Sequence, residues 1–520
     1  MNLLNFCLAL PLVGLSLLLA IPAHRRALIR QFSLAVTILV FVASIGLAFG
    51  FRTSVEGYRF QTDLAWVPSL DIRYHVGIDG MSLWLVLLST LLMPIAMLVS
   101  WRHIDRNVKA FHAFLLLLEF GLIGVFVALD FFLFYVFWEV SLVPMYFLIG
   151  VWGHERRVYA AVKFFLYTMA GSVLMLAAIL YLYNATSTFD YPVVVSQLSS
   201  GRLSFSTREQ TWLFLAFFVA FAIKVPLFPL HTWLPDAHVE APTAGSVILA
   251  SVMLKMGAYG IIRFCLPMFP SVARANADWI IILAIVGIVY GALVAMVQPN
   301  MKKLVAYSSV SHLGFVVLGI FSFTQRGLDG AVYQMLNHGI STGALFILVG
   351  LLYERRHSLE IADYGGVAAP APNLASVFMI ATLSSIGLPV LNNFVGEYLV
   401  LQGAAQANFR WAIYAAVGVI LSACYMLWLY QRIFFGKASP AISSQVRDLG
   451  SREWAALLPL LILMIWMGTA TQTFLPTISA ANARMLDASK KNVEFHVMSL
   501  PEAGESTMKP TAFKELRRAR

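Results

Sequence analysis

Charged residues are scarce in this sequence. Asp, Glu, Lys and Arg make up 12% of its 520 residues, 60% are hydrophobic, and the mean hydropathy is +0.78. Globular chains carry about 25% charged residues, so half the polar surface of a water-soluble fold is missing. Cysteine is scarcer still. Cys7, Cys265 and Cys424 lie far apart with no C-x-x-C, which argues against a disulfide framework, a zinc site or an iron–sulfur cluster. Neither G-x-G-x-x-G nor G-x-x-x-x-G-K-[ST] occurs, so nucleotide binding by this chain is not expected. No low-complexity linker divides it, and a single membrane domain is expected.

What the sequence holds in quantity is apolar and aromatic: 38 Phe, 19 Tyr, 12 Trp and 20 Met. Long apolar runs repeat along the chain, and a span needs about 20 such residues to cross ~30 Å of hydrocarbon. Segmentation on that rule gives an all-α polytopic membrane protein of about fourteen transmembrane helices. Their approximate centres are Leu12, Val40, Leu91, Ile123, Val140, Met169, Ala222, Val252, Ile285, Val316, Ala344, Ile386, Ile420 and Leu463. The membrane domain then covers 1–476 and an extramembrane polar tail 477–520, with one surface helix in the tail. The segment 51–80, with Gly57 and Pro68 between β-favouring pieces, reads as a small hairpin.

The formal charge of +10 does not point to nucleic acid. The basic residues sit in short loops between spans, where they orient the chain. With the N-terminus outside, Arg25, Arg26, Arg30, Arg102, Arg106, Arg156 and Arg157 fall inside together with Lys302 and Lys303. The first apolar run is followed, not preceded, by Arg25 and Arg26, which is the pattern of an uncleaved first span. Both termini are then expected on the outer side.

Charges within the apolar runs are few: Glu119, Glu139, Lys163, Lys224, Lys255, Arg263 and Glu397, with His312 and His338 buried by the same pattern. Arg263 lies near a span end and is expected to snorkel. An ionised group at the bilayer centre costs roughly 2.5–3.5 kcal/mol on insertion scales, so such residues face protein or water and mark an ion or proton path. Protons suit this set, because burial pushes amines and carboxyls alike toward neutrality, where protons exchange.

Two spans are interrupted. "FAIKVPLFPLHTWLP" carries Pro226, Pro229 and Pro235 just after Lys224, and "SSIGLPVLNNFVGE" carries Gly387, Pro389 and Asn392 before Glu397. Paired broken helices point to a transport site at the membrane midplane. Lys224 to Glu397 and Glu139 to His312 are each separated by 173 residues and five spans (397 − 224; 312 − 139). An inverted repeat of spans 4–8 and 9–13 is therefore expected, with spans 1–3 peripheral, span 14 terminal, and helices 7 and 12 broken.

The stretches "FYVFWEVSLVPMYFLIGVWG" (134–153), "KVPLFPLHTWLPDAHVEAPTAGSV" (224–247), "KKLVAYSSVSHLGF" (302–315), "NHGISTGALFILVGLLYER" (337–355) and "NNFVGE" (392–397) resemble the antiporter-like membrane-arm subunits of proton-pumping NADH:quinone oxidoreductase, respiratory complex I. The resemblance runs from about residue 70 to 440. It implies that Glu139 pairs with Lys224, that Lys255 is the central relay, that His312 and His338 carry the path onward, and that Glu397 is the terminal exchange site. It implies no cofactor in this chain, with FMN, iron–sulfur clusters and quinone belonging to other subunits. It further implies the lipid bilayer and the flanking antiporter-like chains L and N as partners, and a bacterial inner membrane location. Chain L would carry a long lateral helix for which this sequence is too short. His231 and His238 are read as caps of the "TWLPDA" turn, and Glu119 and Lys163 as members of a structural pair or of a relay. The same residues also fit a subunit of a multisubunit cation/proton antiporter, a membrane-arm chain of a hydrogenase complex, or a scaffold with trapped ion pairs.

Overall fold

A computed structural model of the chain describes residues 2–51 and 57–490. Twelve continuous helices are long and apolar enough to cross a membrane. The two interrupted spans bring the number to fourteen among the described residues. Span 7 runs as Thr207–Lys224 and Trp233–Glu240, and span 12 as Pro372–Ser385 and Asn392–Ala407. Spans 1–6 are Leu3–Ala20, Arg26–Gly50, Gly80–Val99, Val108–Val127, Phe131–Trp152 and Arg157–Thr186. Spans 8–11 are Thr243–Met268, Ala277–Met296, Met301–Phe321 and Gln325–Arg356, and spans 13 and 14 are Phe409–Phe434 and Ser451–Thr469.

Helices that are apolar all round belong in an interior, and spans 8, 10 and 11 are buried along nearly their whole length. Spans 1, 2 and 14 expose one side. Span 3 is buried for most of its length and packs against spans 8, 11 and 14. The expected hairpin is present: β1 (Arg59–Val67) pairs antiparallel with β2 (Ile72–Ile78), and the turn between them ends in left-handed Asp71. We call the side of the protein that carries it the hairpin face, and the opposite side, with Arg25, Arg102 and Arg106, the basic face. A further helix, Leu475–Lys490, follows span 14 on the hairpin face, where Asp329 accepts from Asn482 Nδ2 and Ser479 Oγ, each at 2.8 Å. The rest of the expected tail, 491–520, lies outside the described residues.

Each break satisfies the backbone groups that it frees, as a buried interruption must. Pro226 has no N–H to give, and Leu227 N bonds Ala222 O at 2.9 Å instead. The Trp233 indole then bonds Ile223 O at 2.9 Å. In span 12, left-handed Gly387 (φ +76) turns the chain and Leu388 N bonds Leu383 O at 3.0 Å.

A repeated pair of backbone bridges marks the two halves. Asp130 caps span 5 and bridges Asp190, while Asn300 caps span 10 and bridges Glu360. Spans 6 and 11 end on left-handed Ser187 and His357. All three correspondences are 170 residues apart (300 − 130, 360 − 190, 357 − 187) and five spans apart, so they lie on opposite faces. This register differs from the spacing of 173 noted in the sequence: Glu139 aligns with Ser309, and His312 lies nearly one turn further on. Lys224 ends the first half of its span, whereas Glu397 lies in the second half of its own.

Candidate proton line

The buried polar groups form one continuous contact series through spans 8, 10, 11 and 12. Lys255 is fully buried, and its Nζ donates to Ala250 O at 2.5 Å and meets His338 Nδ1 at 2.6 Å. Ala250 lies in a five-residue π-helical stretch, Leu249–Met253. That widening leaves the Ala250 carbonyl one residue further back than an α-helical partner of Lys255, and such bulges recur at functional sites. The His338 and His312 rings lie 5.8 Å apart, edge to face. His312 Nδ1 meets Glu397 Oε1 at 2.9 Å, and Gln334 Nε2 donates to the same oxygen at 3.1 Å. The structure therefore brings together four of the six residues expected from sequence.

Lys224 and Glu139 form a looser pair than expected. Lys224 Nζ is buried and has no hydrogen-bond partner among the described residues. It rests over the rings of Trp138 and Phe164, at 5.2 and 5.4 Å from their centroids. Glu139 is the acid whose field reaches it, without a direct ion pair, and its Oε1 has no hydrogen-bond partner among the described residues. The aromatic rings explain the separation: they occupy the near face of the ammonium. Lys224 and Lys255 stand on tightly packed helices, since a Cβ on Gly257 would meet Phe221 O at 2.6 Å and Val225 N at 2.9 Å.

Several sequence expectations need correction. Arg263 does not snorkel. It is 1% exposed, bonds Asp79 Oδ2 at 2.6 Å, and reaches the hydroxyls of Tyr58 and Tyr259 at 3.1 and 3.2 Å. Tyr58 just before the hairpin and Asp79 at the N-terminus of span 3 enclose the guanidinium, and the helix Leu475–Lys490 packs on the end of the span. Lys163 pairs with Asp236 at 2.7 Å, while Glu119 meets no cation among the described residues. His238 does not cap the turn: its ring nitrogens have no partner among the described residues, and the ring stacks on Phe346. His231 stacks on Phe228 beside Pro229 of the same turn.

Two groups beside the line were missed. Lys302, expected in a basic loop, is 2% exposed and donates to Ala241 O at 2.6 Å, where the second half of span 7 ends. His238 feels the charges of both Lys302 and Lys255, so it lies between the basic face and the line. The doubled "KK" at 302–303 was the available signal, but it does not say which lysine turns inward.

Gly396 permits the contact around Glu397. A Cβ there would stand 2.4 Å from Gln334 Oε1 and 2.7 Å from Asn337 Nδ2, and overpacking of this kind costs about 1–3 kcal/mol. Gly396→Ala is expected to displace Gln334 from Glu397 and to slow proton uptake into vesicles, while the protein stays in the membrane. A variant with full uptake would show that Gln334 is dispensable.

The chain matches the family model described as "NADH:quinone oxidoreductase/Mrp antiporter, TM" over residues 128–422. It is 46% identical over 480 residues to NADH-quinone oxidoreductase subunit M of Rhodobacter capsulatus, covering 90% of this chain and 93% of that one. It is 41% identical to NADH-ubiquinone oxidoreductase chain 4 of Arabidopsis thaliana, covering 92% and 96%. Among solved structures it matches a chain of respiratory complex I from Thermus thermophilus with bound NADH at a TM-score of 0.84 and 33% identity, covering 93% and 99%. A chain of the Mrp complex from Dietzia shares the fold at 22% identity and a TM-score of 0.81, covering 94% and 98%.

Proposed function

The chain belongs to the NADH:quinone oxidoreductase/Mrp antiporter membrane family, and from that premise we propose that its protons travel through Glu139, Lys224, Lys255, His338, His312 and Glu397. It is an integral membrane protein, a proton-translocating subunit of NADH:quinone oxidoreductase that works with the other subunits of complex I. The flanking partners in this reading are the antiporter-like chains L and N. FMN, the iron–sulfur clusters and quinone are held by other subunits. The membrane is the bacterial inner membrane, with both termini on its outer side. Spans 4–8 and 9–13 form the two inverted halves, and the line passes from one half to the other.

The observation that carries this reading is the series Lys255–His338–His312–Glu397, with contacts of 2.6 and 2.9 Å at its ends and 5.8 Å between the two rings. Lysine is a strongly hydrated point charge that gives up its proton when desolvated. Histidine can take a proton on one ring nitrogen and release one from the other. Lys255 therefore hands a proton to His338 Nδ1, and the His338 ring releases one from Nε2, which has no hydrogen-bond partner among the described residues, to the His312 ring 5.8 Å away. His312 passes it to Glu397 Oε1, which Gln334 holds in place. Electrons never enter the chain.

His338→Ala tests this. The variant is expected to assemble, to oxidise NADH slowly, and to lose most proton uptake per NADH in inverted vesicles, read by a pH-sensitive dye. Wild-type uptake per NADH would overturn the assignment. The Mrp-like alternative is separated by the same vesicles: proton movement that requires Na⁺ rather than NADH would favour a cation/proton antiporter.

A further inference from the structure

Glu119 is a buried acid that the proton line leaves unused and whose two oxygens both lack a partner among the described residues, and three polar groups rise toward it from the basic face. It lies in span 4, fully buried. His112, seven residues earlier, falls on the same side of the helix, because seven residues make almost two full turns. It is 2% exposed and its Nδ1 is also unpartnered among the described residues. Span 2 runs alongside in the same direction. Its Arg30 is close enough to His112 for their charges to interact, and Ser33, three residues further in, is buried with an unpartnered hydroxyl.

Depth orders these groups. At 1.5 Å per residue from the first residues of their spans, His112 lies about 6 Å in, Ser33 about 10 Å and Glu119 about 16 Å, steps of ~5 Å ending near mid-membrane. At the mouth, Arg30 bonds Ile104 O at 2.8 Å and Asp105 at 3.2 Å. Toward the hairpin face stands Cys7 of span 1, within the electrostatic reach of Glu119, with buried Leu4 about one turn further on. The unpartnered polar groups named here lead from Glu119 to the basic face. Gly121 packs against the backbone of Val140 and Ser141, where a Cβ would meet Ser141 N at 3.0 Å, so on the antiparallel span 5 Glu119 stands level with Leu142, about one turn nearer the basic face than Glu139.

An isolated buried carboxyl costs several kcal/mol unless it is paired or neutral, and groups of this kind inside a membrane mark ion or proton paths. We propose that Glu119 is a second proton-loading site, filled from the basic face through His112 and Ser33 and sharing no residue with the central line. His112 takes a proton on one ring nitrogen and gives one up from the other, the Ser33 hydroxyl bridges the remaining height, and a Glu119 oxygen receives it. The proposal needs spans 2 and 4 to be membrane-embedded. It does not need the central line.

The test is infrared spectroscopy on the intact purified complex. A carboxylic C=O band present in the wild type and lost in Glu119→Gln is expected. On transfer to D₂O that band should shift about a hundredfold more slowly in His112→Phe, the low end for removing a positioned proton carrier. Ser33→Ala, a smaller change, should slow it in the same direction and covers the case in which His112→Phe fails to assemble. Lys224→Ala should leave the exchange rate unchanged, which separates this site from the central line. Glu119→Gln should also lower proton uptake per NADH. Absence of a band assignable to Glu119, or exchange equally fast in both His112→Phe and Ser33→Ala, would overturn the proposal. Unchanged uptake per NADH in Glu119→Gln would do so as well.

Discussion

Lys224→Ala and Glu139→Ala are expected to remove most proton pumping, and much of the coupled NADH:quinone activity, from a complex that still assembles. A proton relay works in series, so losing one site stops every later hop. Lys224 is fully buried, unbonded, and held over Trp138 and Phe164. A desolvated cation–π contact contributes about 2 kcal/mol, a modest loss beside a fold of fourteen packed spans. The absence of a direct Glu139–Lys224 bond strengthens the distinction from a structural pair. Removing Glu139 strips a field from Lys224 but leaves no broken ion pair behind. Lys224→Arg is also expected to pump poorly, because guanidinium stays protonated. Lys224→Met keeps much of the packing and isolates the effect of charge. The measurement is dye quenching in inverted vesicles, normalised to NADH oxidised and to the amount of assembled complex. Full pumping per NADH in Glu139→Ala would remove both residues from the relay.

The opposite outcome is expected for Asp79→Ala. Asp79 receives Arg263 Nη2 at 2.6 Å and also caps span 3, accepting from Met81 N at 3.2 Å and Ser82 N at 2.9 Å. Removing one partner of a buried pair costs about 3–5 kcal/mol, because the other charge is stranded. Loss of the cap adds about 0.5–2 kcal/mol. The complex should therefore assemble poorly on native gels and melt earlier, while the fraction that does assemble pumps normally per NADH. Replacing both charges by apolar side chains, in Asp79→Leu with Arg263→Met, should recover part of the loss, since buried pairs are often exchanged for hydrophobic residues without penalty. If Asp79→Ala assembled normally yet failed to pump, the pair would belong to the proton path.

The two predictions separate the roles that buried charge plays in this chain, and the sequence could not tell them apart. Arg263 and Lys224 look alike on the page, each a lone basic residue in an apolar run. One is locked by Asp79 from a span 184 residues away, while the other is left with only aromatic rings and a distant acid. Lys163 was readable as a partner for any acid, and it found Asp236 in the second half of the broken span 7.

Much was legible from one dimension. In a chain with so few charges, each charge inside an apolar run stands out, because the bilayer makes its burial costly. Proline and glycine betray the breaks in spans 7 and 12, since the backbone groups they free must be satisfied locally. Fourteen spans and the hairpin follow from such local rules, and the family from the resemblance of five motif stretches. Contact between elements does not. The Lys255–His338–His312–Glu397 series joins residues 83, 26 and 85 positions apart (338 − 255, 338 − 312, 397 − 312), and the rotation of each helix about its own axis decides whether they meet. The same rotation turns Lys302 inward beside His238 while Lys303 stays partly exposed. Composition and spacing determined which residues are out of place in lipid. The packing of the spans decided which of them touch, because a helix shows its sequence on every side and only its neighbours select a face.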